Sequence, residues 1–193
     1  MNVLHLPAHR YERQPWRNGA GSTREIWREG KGPDWRVSIA DIESDGAFSR
    51  FPGLLRRLVL LSGDGLRLEI APATEAVELH PPYGAHSFPG DAEVSAARIG
   101  GRCQAFNLMW NPQAVDAELL LRPLVGSMLF FPRPGETWLL HLASGQARLS
   151  AGATGLDLTQ GDSALLRGGP PANGGRLQLE GGGETLLVRV RPR

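Results

Sequence analysis

The chain has 193 residues, enough for one large domain or two small ones, and its 41% hydrophobic and 21% charged residues are typical of a globular protein. Its 21 basic and 20 acidic residues nearly cancel and form no long run of one sign, which argues against DNA or RNA as a partner. The single cysteine, Cys103, excludes a disulfide framework. The start of the chain does not resemble a signal peptide, and no apolar stretch is long enough to span a membrane. We therefore expect a cytoplasmic protein with no nucleic-acid or membrane partner.

Alternating apolar and polar residues predict an all-β chain. The first two strands are predicted at residues 23–27 and 35–42, and the second places Arg36 and Ser38 on the face opposite its large apolar side chains. An apolar run at 54–61, a glycine-rich turn and a second alternating run at 66–70 indicate a hairpin. Further strands are predicted at 75–79, 92–99, 105–110, 115–121, 127–131, 137–143, 146–149, 163–166, 176–179 and 185–190. Residues 112–121 fit a short helix as well as a strand.

A weak internal repeat suggests how these strands are grouped. Residues 60–63 (LLSG) are echoed by 142–145 (LASG), and each copy is followed by a Gly-Asp turn, at 90–91 and 161–162. This order is typical of a cupin barrel, in which glycines form the hairpin corners and one face of each strand fills the interior. It predicts two cupin-like barrels of the RmlC-like jelly-roll type, a bicupin, with domains at 1–112 and 113–193. A single larger jelly-roll sandwich is the alternative.

The histidines lack the pattern that metal-binding cupins use. A cupin metal site normally combines a His-Xaa-His pair with a glutamate and a later histidine. The five histidines of this chain include no such pair and are scattered: His5, His9, His80, His86 and His141. There is also no Gly-Xaa-Ser-Xaa-Gly nucleophile motif. The sequence thus predicts no metal, no cofactor and no catalytic nucleophile.

Several polar residues interrupt otherwise apolar strands and are candidate site residues. A buried arginine or asparagine must find a partner, either another side chain or a ligand. Period-two alternation places Thr23 and Glu25 on one strand face together with Trp27, while Arg56 and Asn107 lie within apolar runs. One interpretation is structural pairing, for example of Glu25 with an arginine. The other is a polar pocket with aromatic walls, drawn from Trp16, Phe48 and Phe51.

The chain resembles the HutD/Ves family in a set of motifs within its first 110 residues. These are 16–26 (WRNGAGSTREI), 35–40 (WRVSIA), 46–53 (GAFSRFPG), 56–65 (RRLVLLSGDG) and 106–109 (FNLM). The second half resembles the family only in length and strand pattern. The resemblance implies a two-barrel cupin fold and a cytoplasmic bacterial protein of histidine utilisation. It further implies that the protein binds an acidic pathway intermediate of the formylglutamate type and has no established reaction.

Three functions follow as hypotheses. The first is a non-catalytic sensor that binds a small carboxylate in the first barrel through Asn18, Thr23, Glu25, Arg36, Ser38, Phe48, Phe51, Arg56 and Asn107. The second is a metal-independent enzyme, an isomerase or amide hydrolase, in which Glu25 acts as general base and would need a raised pKa. The third is a scaffold whose second barrel stabilises a homodimer through an exposed apolar face containing Leu186, Val188 and Val190.

Overall fold

The computed structural model describes residues 2–30, 32, 34–73, 75–151, 154–169 and 176–193. Apart from one 3-10 turn at Ala8–Arg10, the regular structure of these residues is entirely β, which confirms the predicted all-β class. The strands are β1 (Asn2–Leu6), β2 (Glu12–Pro15), β3 (Gly21–Glu29), β4 (Trp35–Ile42), β5 (Gly46–Ala47), β6 (Leu55–Ser62), β7 (Gly65–Ile70), β8 (Val77–Leu79), β9 (Ala85–Pro89), β10 (Val94–Ile99), β11 (Cys103–Trp110), β12 (Val115–Phe130), β13 (Thr137–Ala151), β14 (Thr154–Thr159), β15 (Ser163–Arg167) and β16 (Leu177–Pro192). No helix formed by the described residues has the length and apolarity needed to cross a membrane.

The chain divides into two compact units, and the N-terminal segment does not belong to the unit that follows it. One unit is Glu12–Ala114, and the other joins Val115–Arg193 to the segment that ends at Tyr11. Strand β1 pairs antiparallel with β15, and the Tyr11 hydroxyl lies 2.8 Å from the Ser163 hydroxyl oxygen. The predicted ranges 1–112 and 113–193 differ from this division because a pairing between strands some 160 residues apart leaves no local sequence signal.

The unit Glu12–Ala114 consists of two antiparallel sheets. One has the strand order β2-β3-β4-β11-β6-β9, and the other has the order β5-β10-β7-β8. Both sheets contribute apolar side chains to one core: Ala40, Ile42, Leu58, Leu60, Phe88, Cys103 and Ala105 from the first, and Leu66, Leu68, Leu79, Val94 and Ala96 from the second. Because side chains alternate along a strand, residues two apart share the face that points into this core. The core-facing side of β4, β6 and β11 also carries the candidate site.

The second unit is a single sheet built on three long strands. Its order is β1-β15-β13-β16-β12, with β14 paired to β13. The sequence predicted two shorter strands within each of β12, β13 and β16, with Gly145 as a hairpin corner. That expectation was wrong, because Gly145 lies within β13, where a Cβ atom would collide with the carbonyl of Gly182. Here glycine permits a close backbone approach inside a sheet and does not mark a turn.

The apolar face expected at the end of the chain is buried. Leu186 and Val188 are 0% exposed and Val190 is 3% exposed. These side chains therefore cannot form the exposed dimer surface that the scaffold hypothesis placed there. Residues 115–121, which fit either a helix or a strand by sequence, are part of β12.

Candidate functional site

The unit Glu12–Ala114 contains a cavity of about 430 Å³. It is lined by Gln14, Pro15, Trp16, Arg17, Asn18, Thr23, Arg28, Arg36, Ser38, Ala40, Ala47, Phe48, Ser49, Phe51, Arg56, Leu58, Asn107 and Met109. The lining contains four arginines and no carboxylate. Its volume falls in the range of small-molecule binding sites, and its charge favours an anion.

Strand register explains why polar groups gather at one end of this face. Arg36, Met109 and Arg56 lie opposite one another across β4, β11 and β6. The next row inward is mixed and consists of Ser38, Asn107 and Leu58. The row after that is apolar and consists of Ala40, Ala105 and Leu60. Along this face of the sheet, the side chains therefore change from polar to apolar over three successive rows. The cavity lies at the polar end, and the hydrophobic core begins at the apolar end.

Arg56 is a buried cation enclosed by three aromatic rings. The residue is 5% exposed, and its guanidinium carbon lies 5.4, 5.6 and 4.8 Å from the ring centroids of Phe48, Phe51 and Phe88. One terminal nitrogen donates to the Ser49 carbonyl at 3.3 Å, and Nε has no hydrogen-bond partner. Among the described residues no carboxylate pairs with it. Burial, helped by the charge of Arg36, lowers the Arg56 pKa to about 10.

Glu25 is held between two arginines. Nε of Arg36 donates to its carboxylate at 2.7 Å, and a terminal nitrogen of Arg28 donates at 3.0 Å. Burial alone raises the pKa of Glu25, but the hydrogen bonds and charges of Arg28 and Arg36 outweigh that effect and lower the pKa below its ordinary 4.5. Glu25 is therefore an ionised structural partner at neutral pH, as the first interpretation of the sequence expected.

A β-bulge in β3 decides which side chains face the cavity. Glu25 lies opposite Ser38, but the register shifts by one residue before Trp27, which lies opposite Val37. The predicted shared face of Thr23, Glu25 and Trp27 was therefore wrong beyond Glu25. After the bulge Arg28, not Trp27, lines the cavity. A bulge of one residue exchanges the two faces of a strand, and period-two reasoning cannot detect it.

The remaining polar groups differ in how fully they are satisfied. Asn107 is 5% exposed, and its Oδ1 atom has no hydrogen-bond partner. The Thr23 hydroxyl accepts a hydrogen bond from the Trp16 indole at 2.8 Å. Asn18 accepts from the Ala20 backbone N–H at 3.1 Å and donates to the Ala47 carbonyl at 3.4 Å. Asn18 thereby links two segments of the rim, and Asn107 and Arg56 are the buried lining residues with unused hydrogen-bonding atoms.

Eight of the nine predicted site residues line one cavity: Asn18, Thr23, Arg36, Ser38, Phe48, Phe51, Arg56 and Asn107. The ninth, Glu25, contacts Arg36 and Arg28 without being part of the lining. The sequence analysis did not select Arg17 or Arg28 as site residues. Arg17 adjoins Asn18 in the motif at residues 16–26, and this position was a usable signal, whereas Arg28 depends on the bulge.

The cavity is a poor site for a transition metal, because its lining offers neither histidine nor carboxylate. Within the described part of the chain, no three His, Cys, Asp or Glu side chains are grouped to hold an ion. We expect elemental analysis of the purified protein to find far less than one iron, manganese, nickel or zinc per chain. Near-stoichiometric metal that survives mild chelation would contradict this prediction.

Comparison with known proteins identifies the family to which the chain belongs. The model of the HutD family matches residues 8–187. The chain belongs to the HutD family. The chain is similar to a 21.2 kDa Pseudomonas putida protein described as lying in the hutC 3′ region, with 44% identity over 118 residues, which are 59% of this chain and 61% of that protein. Protein Ves from Citrobacter koseri is 42% identical over 91 residues, or 45% of this chain and 46% of Ves. The chain thus spans less than two thirds of either relative.

A solved structure supports the same assignment over the whole chain. HutD from Pseudomonas fluorescens superimposes with a TM-score of 0.83 at 31% identity and covers 100% of both chains. Oxalate decarboxylase from Lactobacillus farciminis gives a TM-score of 0.67 at 10% identity, covering 98% of this chain and 86% of that one. The second likeness shows the fold alone, which is cupin-like and all-β.

Proposed function

We propose that this HutD-family chain is a non-catalytic, cytoplasmic binding protein of histidine utilisation, and that its cavity takes an acidic intermediate of the formylglutamate type. The observation that carries the proposal is Arg56, a buried cation in the cavity wall with no carboxylate partner among the described residues. The proposed role in histidine utilisation is supported by the Pseudomonas putida relative, which is described as lying in the hutC 3′ region. We further propose that each of the two units forms a cupin-like barrel.

Charge balance in the cavity supports an anionic ligand. Four arginines line it, and Glu25 neutralises only part of their charge through Arg36 and Arg28. Arg56 keeps an unused Nε–H donor at a buried position. A ligand carboxylate at Arg56 would pair this cation and satisfy the donor in a single contact, and such charge-assisted hydrogen bonds are the strong ones.

The rest of the lining suggests how such a ligand would be oriented. The unpartnered Oδ1 of Asn107 can accept an N–H donor. Phe48 and Phe51 provide apolar walls for a short carbon chain and already enclose the Arg56 guanidinium. A molecule that carries carboxylate and amide groups on a short aliphatic chain therefore matches the cavity in charge, hydrogen bonding and size.

The enzyme alternative receives less support from the same geometry. A general base at neutral pH needs a pKa near that pH, and Glu25 has its pKa lowered by two arginines. Its carboxylate is engaged by those arginines and is not part of the cavity lining. The arrangement favours binding over proton abstraction.

A thermal-shift series tests the proposal directly. We expect N-formylglutamate to stabilise the folded protein, by about 2.7 kcal/mol at a hundred times its dissociation constant, because a ligand that binds only the native state adds that much. Glutamate and formiminoglutamate test the need for the formyl group, and histidine and urocanate serve as pathway compounds without the second carboxylate. Equal shifts with all five compounds, or none with any, would contradict selective binding of an acidic intermediate.

A further inference from the structure

Strand β12 presents a long free edge. It is the last strand of its sheet, so one side of its backbone pairs with β16 and no described strand pairs with the other side. The strand is 16 residues long. From residue 124 to residue 131, one residue past the end of the strand, the sequence is LVGSMLFF, which contains no charge and no proline. Such an edge offers a row of backbone N–H and C=O groups to another strand.

The exposed face of this segment is apolar. Val125 is 88% exposed, Leu129 is 46% exposed, and Phe131, one residue beyond the strand, is 65% exposed. Leu124 and Phe130 point the opposite way and are part of the core of their own unit. The exposed side chains are therefore not needed to fold the monomer, and water contacts them along a strand with high β-propensity.

The other edge strands of the described structure carry protective features that residues 124–131 of β12 lack. Strand β1 is five residues long and is followed by Pro7, and β14 carries Asp157. The proline and the charged residues of β12 itself lie before this segment, up to Pro123. Strand β2 is fully exposed but has Glu12 and Arg13 and ends at Pro15. Strands β5 and β8 are 2 and 3 residues long, and β9 has 5 residues and ends at Pro89. Shortness, charge and proline are the usual means by which proteins prevent pairing between edges. Without these features, residues 124–130 of β12 leave their backbone groups free to pair with another strand.

We propose that β12 pairs antiparallel with β12 of a second copy of this chain, giving a two-fold symmetric homodimer. The segment is self-complementary: pairing centred on Ser127 places Val125 opposite Leu129 of the second copy, and the reverse. It brings no charges together, and the flanking Arg122 and Arg133 lie out of register with each other. Because both copies use the same edge in a two-fold contact, pairing of β12 with β12 closes at two copies and does not extend into a fibre.

Sedimentation equilibrium of the full chain and two variants tests this dimer. The wild type should have twice the 20.9 kDa chain mass. Val125→Lys places a charge in the pairing segment and should raise the dimer dissociation constant by about tenfold or more, with an unchanged melting temperature of the monomer. Gln146→Lys adds the same charge at an exposed position on β13, in the row of β16 Gly182 and Val125, and should leave the dissociation constant unchanged.

Three results would overturn the proposal: a wild-type monomer at hundreds of micromolar, a Val125→Lys dimer as stable as the wild type, or wild-type assemblies larger than two. Hydrogen exchange supplies a local measurement on the same samples. The amides of residues 124–131 should become protected as the wild-type concentration rises, and protection elsewhere without protection here would also reject the β12 interface.

Discussion

Replacing Arg56 with methionine is expected to weaken binding of N-formylglutamate by about 2–5 kcal/mol, the range for losing one partner of a desolvated charge pair. Methionine keeps the volume of the apolar stem and contacts Phe48, Phe51 and Phe88 in the same place, so the cavity should keep its shape. Only the charge and the donors of the guanidinium are lost.

The ligand-free variant should be as stable as the wild type or more stable. The folded protein lowers the Arg56 pKa to about 10, so the charged form is disfavoured by folding. That penalty is fully present at pH values below about 10 and shrinks as the pH rises from the folded pKa towards the higher ordinary pKa of arginine, so it applies at neutral pH. The variant escapes this penalty, whereas it loses cation–π contacts worth about 0.5–2 kcal/mol each. No described carboxylate is left unpaired by the change.

Isothermal titration calorimetry and urea denaturation of the same variant separate the two effects. Arg67→Met is the matched control, because Arg67 is an exposed arginine on β7 of the same unit and does not line the cavity. It should change neither the affinity nor the free energy of unfolding. A large loss of stability in ligand-free Arg56→Met, together with unchanged affinity, would show that Arg56 supports the fold and does not bind the ligand.

Regular strands explain why so much of the cavity was predictable from sequence. In β4 the alternation is unbroken, so period two correctly assigns Arg36 and Ser38 to one face, and the register of β11 and β6 brings Asn107 and Arg56 to the same face. A buried cation or amide in such a run must have a partner, and this requirement singled these residues out. Register then brings the three strands side by side, and their polar positions meet.

The structural features that the sequence could not predict leave no local pattern in it. The bulge after Glu25 exchanges Trp27 for Arg28 at the cavity without any glycine or proline to mark it. The pairing of β1 with β15 is decided by contacts across the whole chain. Gly145 looks like a hairpin corner in sequence because a close backbone approach and a turn call for the same residue. Each of these three features depends on a contact between residues that are distant in sequence.

Replacing Glu25 with glutamine is expected to destabilise the fold by about 2–3 kcal/mol at pH 7, because it leaves Arg36 without its ionic partner at a largely buried position. Side chains of Arg36 and Glu25 are 11% and 21% exposed, so the loss should lie below that of a fully buried pair. Glutamine has nearly the same shape and can still accept one hydrogen bond. Urea denaturation measures the difference in free energy of unfolding.

The loss of stability caused by Glu25→Gln should become smaller as the pH falls. Because the Glu25 pKa is lowered in the folded protein, its stabilising contribution is present above the ordinary value of 4.5 and is lost as the pH falls through the lower folded pKa. The wild type and Glu25→Gln should therefore differ most at neutral pH and converge under acid conditions. A difference that grew as the pH fell would mean that the folded state raises this pKa.

Glu43→Gln provides the matched control, since Glu43 pairs with Arg13 at 3.4 Å on the surface, with side chains 43% and 61% exposed. An exposed pair of this kind contributes about 0–1 kcal/mol, so the free energy of unfolding of this variant should be close to that of the wild type.

The same pair of variants tests the enzyme hypothesis. If Glu25 were a general base acting on a pathway compound, Glu25→Gln would abolish turnover of that compound at full occupancy. If Glu25 instead positions Arg36 and Arg28, the variant should lose stability and bind N-formylglutamate with altered affinity, with no turnover by either protein.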